Sequence, residues 1–178
     1  MTKRNDFIWN AIQTVCWLIF AGFCVQTGAL VFNYAYSLFR PVATHDLHLG
    51  LDLSELYNKN IAVYTVLFVI IVALSALKAY VFYTVIRIFK MLNLVKPFSD
   101  QVHQFILKTT YYAFTIGVIS FVAHEIVKKL EAKDYQVGVI ERYWNDSGAY
   151  FIMSAILFVI ALIFKKGIEM QNESDLTV

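Results

Sequence analysis

Charge is scarce in this chain of 178 residues: 16% of it is Asp, Glu, Lys or Arg, where a soluble domain carries about 25%. With 59% hydrophobic residues and a mean hydropathy of +0.60, too few charges remain to cover a water-facing shell, which excludes an ordinary soluble domain. Fifteen Lys and Arg against thirteen Asp and Glu leave a net charge of +2 with no basic run, so direct nucleic-acid binding is excluded as well. Cysteine is nearly absent. Cys16 and Cys24 stand eight residues apart on what reads as one helix, about 12 Å at 1.5 Å per residue, too far for a disulfide. The sequence has no phosphate-binding loop, no glycine-flanked nucleophilic serine and no zinc-protease helix motif, so the expectation is a non-enzymatic protein without a cofactor. No tandem repeat, low-complexity tract or second domain interrupts residues 1–178.

What the chain has is long apolar stretches. A membrane-spanning helix needs about 20 mostly apolar residues, and four stretches qualify: about Ile8–Tyr36, Ile61–Phe89, Phe105–Val127 and Ala149–Phe164. The second holds fifteen Leu, Ile, Val or Phe residues between Ile61 and Ile86, each contributing about −0.3 to −0.6 kcal/mol to insertion. Their sum exceeds the roughly 2.5–3.5 kcal/mol cost of the one charge among them, Lys78. Lys165 and Lys166 end the fourth stretch as a charged stop at headgroup level. Lys3 and Arg4 precede the first, which has no small-residue cleavage site behind a short apolar core and therefore reads as an uncleaved signal anchor. Phe23 before Cys24 argues against lipoprotein processing.

Four spans put both termini on one side. With that side cytoplasmic, it collects Lys3, Arg4, Arg87, Lys90, Lys96, Lys108, Lys165 and Lys166, against Arg40, Lys59, Lys128, Lys129, Lys133 and Arg142 outside. The bias follows the positive-inside rule. Pro97 breaks the chain in the short inner loop, and Ser99, with Asp100 after it, is placed to cap the third helix.

In the first outer loop, Asp46 to Leu53 carries leucine at every second position, which is strand periodicity. Tyr135 to Ile140 in the second outer loop is a weaker strand candidate. The expected architecture is thus an all-α membrane protein: a four-helix transmembrane bundle with a small extracytoplasmic β cap whose apolar face rests on the helix ends.

Small or polar residues recur at helical spacing on the first helix (Gly22, Gln26, Ala29, Asn33) and the third (Ala113, Gly117, Ser120, His124). These two stripes are expected to face each other inside the bundle. Lys78 either snorkels toward the headgroups or bonds inside the bundle, or else serves gating or ligand contact, since no Asp or Glu lies deep in a span to pair with it. His45 and His48 form an H-x-x-H pair. An extended loop sends their rings to opposite faces, and His103 falls on the inner side, leaving His124 as the one histidine able to join them, so no metal is expected. The polar stretch from His124 to Asp134 reads as a helix emerging into water with compensated charge, or as a sensing site in the outer loop. Beyond Lys166, the tail Gly167–Val178 is acidic and too short to fold alone. It reads as a frayed end or as a peptide that orders on a cytoplasmic partner.

Two segments resemble a known family: Arg87-Ile-Phe-Lys-Met-Leu-Asn-Leu-Val-Lys-Pro97-Phe98, and Phe151 through Phe164 and the tail to Val178. They are similar to the bacterial membrane family called domain of unknown function 2975. The resemblance implies a four-span protein of the bacterial cytoplasmic membrane. Members are often encoded beside a small helix-turn-helix transcription regulator, which implies a membrane partner or sensor for it, and no catalytic residues come with the family. The expected contact surface is Arg87, Lys90, Pro97, Phe98, Lys165, Lys166, Glu169, Glu173, Asp175, Leu176 and Val178. The alternative is a small oligomeric transporter or channel with Lys78, Gln26 and Asn33 around its path. Apart from the lipid bilayer, a second copy of the chain is the other partner considered.

Overall fold

The computed structural model describes residues 3–40, 44, 45, 47, 50–92 and 97–176. They form α1 (Lys3–Phe39), the short α2 (Ser54–Lys59), α3 (Ile61–Met91), α4 (Asp100–Glu131) and α5 (Ser147–Leu176), with a 3-10 helix at Gly138–Tyr143 before α5. Four of these helices are long and apolar enough to cross a membrane, so the chain is a multi-pass membrane protein by length and composition. Its surface agrees: Phe7, Leu18, Val25 and Phe32 are each more than two-thirds exposed, and leaving such a side chain in water rather than oil costs about 1.5–3 kcal/mol.

The helices start and stop where local chemistry dictates. Ser99 caps α4 as expected, its Oγ accepting from the Val102 N–H at 3.4 Å, with Asp100 in the first turn. Asn60 stands alone between α2 and α3, and its side-chain oxygen accepts from the N–H groups of Ala62 and Val63. One residue thereby ends one helix and starts the next. Inside the spans, hydroxyls bond back to their own helix: Thr27 to the Phe23 carbonyl, Thr110 to Ile106, Thr115 to Tyr111 and Ser154 to Phe151. That local bond is what lets Ser and Thr sit where no water reaches.

The long helices pack in series, α1 on α3, α3 on α4 and α4 on α5; among the described residues no Cα of α1 comes within 8 Å of one in α4 or α5. The α1–α3 pair is antiparallel, with Trp9 against Phe89 at one end and Tyr34 against Phe68 at the other. The main core lies toward the latter end, where Leu47, Leu51, Leu53 and Leu56 meet Tyr64, Phe68, Ile71, Val137, Ile140 and Trp144. A small second core of Val102, Ile106 and Ala161 lies toward the α3–α4 connection. We call these the cap end and the tail end.

Three expectations need correction. First, the described residues contain no strand, so they do not build the expected β cap. Leu47 and Leu51 make a single antiparallel bridge closed by a tight turn in which Gly50 adopts φ 71°, a conformation suited to glycine. Leu47, Leu51 and Leu53 still point inward, while Asp46, His48 and Leu49 lie outside the described residues. In the other loop Trp144 is buried, and so are Val137, Ile140 and Tyr143. Their spacing of three belongs to a 3-10 helix, and Val139, taken for part of a strand face, is exposed.

Second, the two small-residue stripes do not meet. Gly117 packs under Phe151 of α5, and a Cβ added there would stand 3.0 Å from that ring, whereas nothing lies within 4 Å of the corresponding position at Gly22. Third, α5 continues through Lys165 and Lys166 as a helix to Leu176, so the tail as far as Leu176 is not frayed. The two lysines end the apolar stretch but not the helix, since charge fixes headgroup depth while lysine, glutamate, methionine and glutamine are all good helix formers. A Lys166–Glu169 ion pair at 3.0 Å spans one turn of this extension.

Candidate functional site

Phe98, at the end of the α3–α4 connection, sits in a notch on α5 left by Gly167. A Cβ at Gly167 would come within 2.5 Å of the Phe98 ring, so only glycine lets the ring lie against the helix backbone. Phe98 also meets Phe164 edge-on, with ring centroids 5.3 Å apart. Beside this contact a groove of about 620 Å³ opens, lined by Pro97, Phe98, Ile163, Lys166, Met170 and Gln171, among others. Its floor is apolar, with Met170 largely exposed, and the charges of Lys166, Glu169 and Glu173 stand along the same helix.

The structure therefore brings together Pro97, Phe98 and Lys166 from the expected contact surface. Glu169 is held by Lys166, and Lys165 and Glu173 are exposed on the same helix. Asp175 and Leu176 belong to the last turn of α5, and Val178 lies outside the described residues. Arg87 and Lys90 do not line the groove. The Arg87 guanidinium lies over the rings of Tyr83 and Phe105, and the Lys90 ammonium over Trp17 of α1. The Gly167 notch was not foreseen; a glycine one position after a lysine pair carries no sign of what packs on it.

At the other end of α5, Lys78 has partners. Its Nζ donates to Asp146 Oδ2 at 2.8 Å and to the Tyr143 carbonyl at 3.1 Å, and it lies 5.4 Å from the centre of the Tyr150 ring. Side chains tilt toward the N-terminus of their helix, and for α3 that is the cap end, so Lys78 reaches in the direction snorkelling requires. The carboxylate that pairs with it comes from outside the spans. Asp146 belongs to the loop just before α5, and packing of that loop onto α3 carries it to the lysine. Gln26 and Asn33 take no part in this set; both lie half-buried on α1.

The cap carries a second polar cluster. Asp52 Oδ1 accepts from the Ser54 hydroxyl at 2.6 Å and from the Ser54 N–H at 3.0 Å, and His45 Nδ1 stands 3.6 Å from Asp52 Oδ2. The bonds from Ser54 come first in holding the Asp52 carboxyl below its ordinary value. His124 Nδ1 lies 3.5 Å from Glu141 Oε1. Among the described residues no three metal-ligating side chains cluster, and His48 is not one of those residues.

The family described as "Protein of unknown function (DUF2975)" matches residues 48–178, well over half of the chain, and the chain belongs to that family. No curated protein and no solved structure matches the chain.

Proposed function

We propose that this member of the DUF2975 family is a non-enzymatic partner, in the bacterial cytoplasmic membrane, for a small helix-turn-helix transcription regulator. The regulator is held at the groove beside Phe98 and α5. The observation that carries the reading is the meeting of the two family-like segments at one place, Phe98 in the Gly167 notch, with an apolar floor open beside it. An exposed apolar groove with a charged rim is the kind of surface that takes an amphipathic helix. In this reading the tail end is cytoplasmic, with both termini.

The signal enters at the cap. Lys78 ties α3 to Asp146 at the very start of α5, and α5 then runs unbroken to the groove, about 30 Å from Ser147 to Gly167 at 1.5 Å per residue. A change in the cap that frees or reorients Asp146 shifts a stiff rod whose other end forms one wall of the groove, so two positions of α5 present two affinities for the regulator.

The test is co-purification in detergent with the regulator encoded beside the chain. The native chain should retain it, and a chain truncated after Lys166 should lose it. Full retention by the truncated chain overturns the reading. A small transporter or channel is the alternative, and liposome flux that depends on Lys78 would support it. The anchoring of Lys78 by Asp146 and Tyr143 does not favour a path lined by Gln26 and Asn33.

A further inference from the structure

Toward the tail end, on α1, α3 and α4, three cations stand over aromatic rings. Lys90 Nζ lies 5.2 Å from the centre of Trp17, Trp17 meets Phe20, and Phe20 meets Tyr83. The Arg87 guanidinium lies 6.0 Å from Tyr83 and 5.6 Å from Phe105, and Lys108 Nζ lies 5.3 Å from Phe105. No carboxylate among the described residues pairs with any of the three; the ion pairs of lysine lie elsewhere, at Glu55–Lys59, Lys78–Asp146 and Lys166–Glu169. Arg87 Nε is buried and has no hydrogen-bond partner among the described residues. Cations held at ring faces without counter-charge leave positive potential that favours an anion at the edge of the hydrocarbon layer.

An apolar groove starts from the same rings. It holds about 610 Å³ and is lined by Phe20, Cys24, Gly28, Ala76, Tyr80 and Tyr83, among others, within the roughly 300–1,000 Å³ of ordinary ligand pockets. It follows α1 from Phe20 to Val31, about 16 Å of helix. Tyr83 belongs to both features, lining the groove and lying under Arg87. The groove opens sideways, onto the surface where Cys24, Val31 and Tyr80 are exposed, so its occupant comes from the bilayer. Positive charge at one end and an apolar slot along the rest describe an amphiphile with an anionic head.

We propose that this face binds an anionic phospholipid, its phosphate held by Arg87, Lys90 and Lys108 and one acyl chain laid in the groove between α1 and α3. The phosphate accepts from the terminal N–H groups of Arg87 and from the two ammonium groups. The site is separate from the Phe98–Gly167 groove and does not depend on the regulator reading; it moves Arg87 and Lys90 from the expected regulator surface to lipid.

Native mass spectrometry of the full chain in detergent, with phosphatidylglycerol and phosphatidylethanolamine of equal chain length, tests it. The native chain should prefer phosphatidylglycerol by about tenfold, and the double variant R87Q/K108Q should lose that preference while still binding phosphatidylethanolamine. K128Q/K129Q, at the cap end, should keep it. Should R87Q/K108Q not fold, K90Q, which changes an exposed ammonium, should weaken phosphatidylglycerol binding a few-fold. Gly28→Phe fills the groove at a position with nothing within 4 Å of a Cβ, so it should weaken phosphatidylglycerol binding without lowering the melting midpoint. Equal binding of the two lipids by the native chain overturns the proposal, as does a preference that survives in folded R87Q/K108Q or falls equally in K128Q/K129Q. Unchanged phosphatidylglycerol binding in Gly28→Phe, or a dimer that this substitution dissociates while lipid binding persists, overturns the assignment of the groove to an acyl chain.

Discussion

Lys78 and Asp146 are 68 residues apart in sequence and joined by a 2.8 Å bond, with the lysine side chain 10% exposed and the aspartate 45%. The asymmetry matters. The aspartate keeps part of its water, while the ammonium depends on Asp146 and on the Tyr143 carbonyl for nearly all of its partners.

Asp146→Ala therefore leaves a buried ammonium half-satisfied, and we expect a loss of about 1–3 kcal/mol. Lys78→Met alone removes the charge and should cost less. Adding Lys78→Met to Asp146→Ala should recover part of the loss, because a pair removed together costs less than one removed singly. Denaturation midpoints of the two single variants and the double variant in one detergent check this, and simple additivity would mean that the two side chains do not act on each other.

Gly167→Ala forces the Phe98 ring out of its notch, since the new Cβ would lie 2.5 Å from it. We expect about 1–3 kcal/mol of destabilisation. Phe98→Ala in the same chain should relieve most of it, leaving the double variant close to Phe98→Ala alone. Regulator capture should fall in Gly167→Ala, and a chain that binds at full yield with the ring displaced would separate the notch from the function.

Trp144 is fully buried in the main core. Trp144→Ala should cost about 3–5 kcal/mol, with the loss read first in the cap: hydrogen exchange should rise over residues 135–146 before it rises in the middle of α4. Equal acceleration throughout would show that cap and spans unfold as one unit.

Asp52 lends the cap a pH dependence. Its carboxyl is held below the ordinary value of 3.8 by Ser54, so the folded state favours the charged form. That contribution is fully present above the ordinary value and fades as pH falls through the lower folded value. The midpoint difference between the native chain and Asp52→Asn should thus be constant near neutrality and shrink below about pH 4. Because Asp52 is more than half exposed, the effect is small. A difference that grows on acidification would reverse the sign of the linkage.

The middles of the first three long helices were legible because apolar length is a local property, and so was the Ser99 cap, which bonds to an N–H three residues away; the helices run up to five residues beyond the apolar stretches. The inward turn of Leu47, Leu51 and Leu53 was legible too, though their alternation suggested a strand where a glycine turn stands. The site was half legible. Phe98 and Lys166 were marked by their segments, but Gly167 gave no signal, since a glycine shows what it admits only when the neighbour is known.

By itself the sequence determined the solvent, because insertion sums over residues regardless of their neighbours: a chain this apolar carries four helices long enough for a membrane. Which helices touch was left to the tertiary structure. Lipid rewards no particular pairing of apolar faces, so close contact is decided by shape, such as Phe151 over Gly117 or Phe98 in Gly167, and by the few polar groups that must find partners. Lys78 found Asp146 only because the loop before α5 folds back onto α3. No spacing along the chain encodes that meeting.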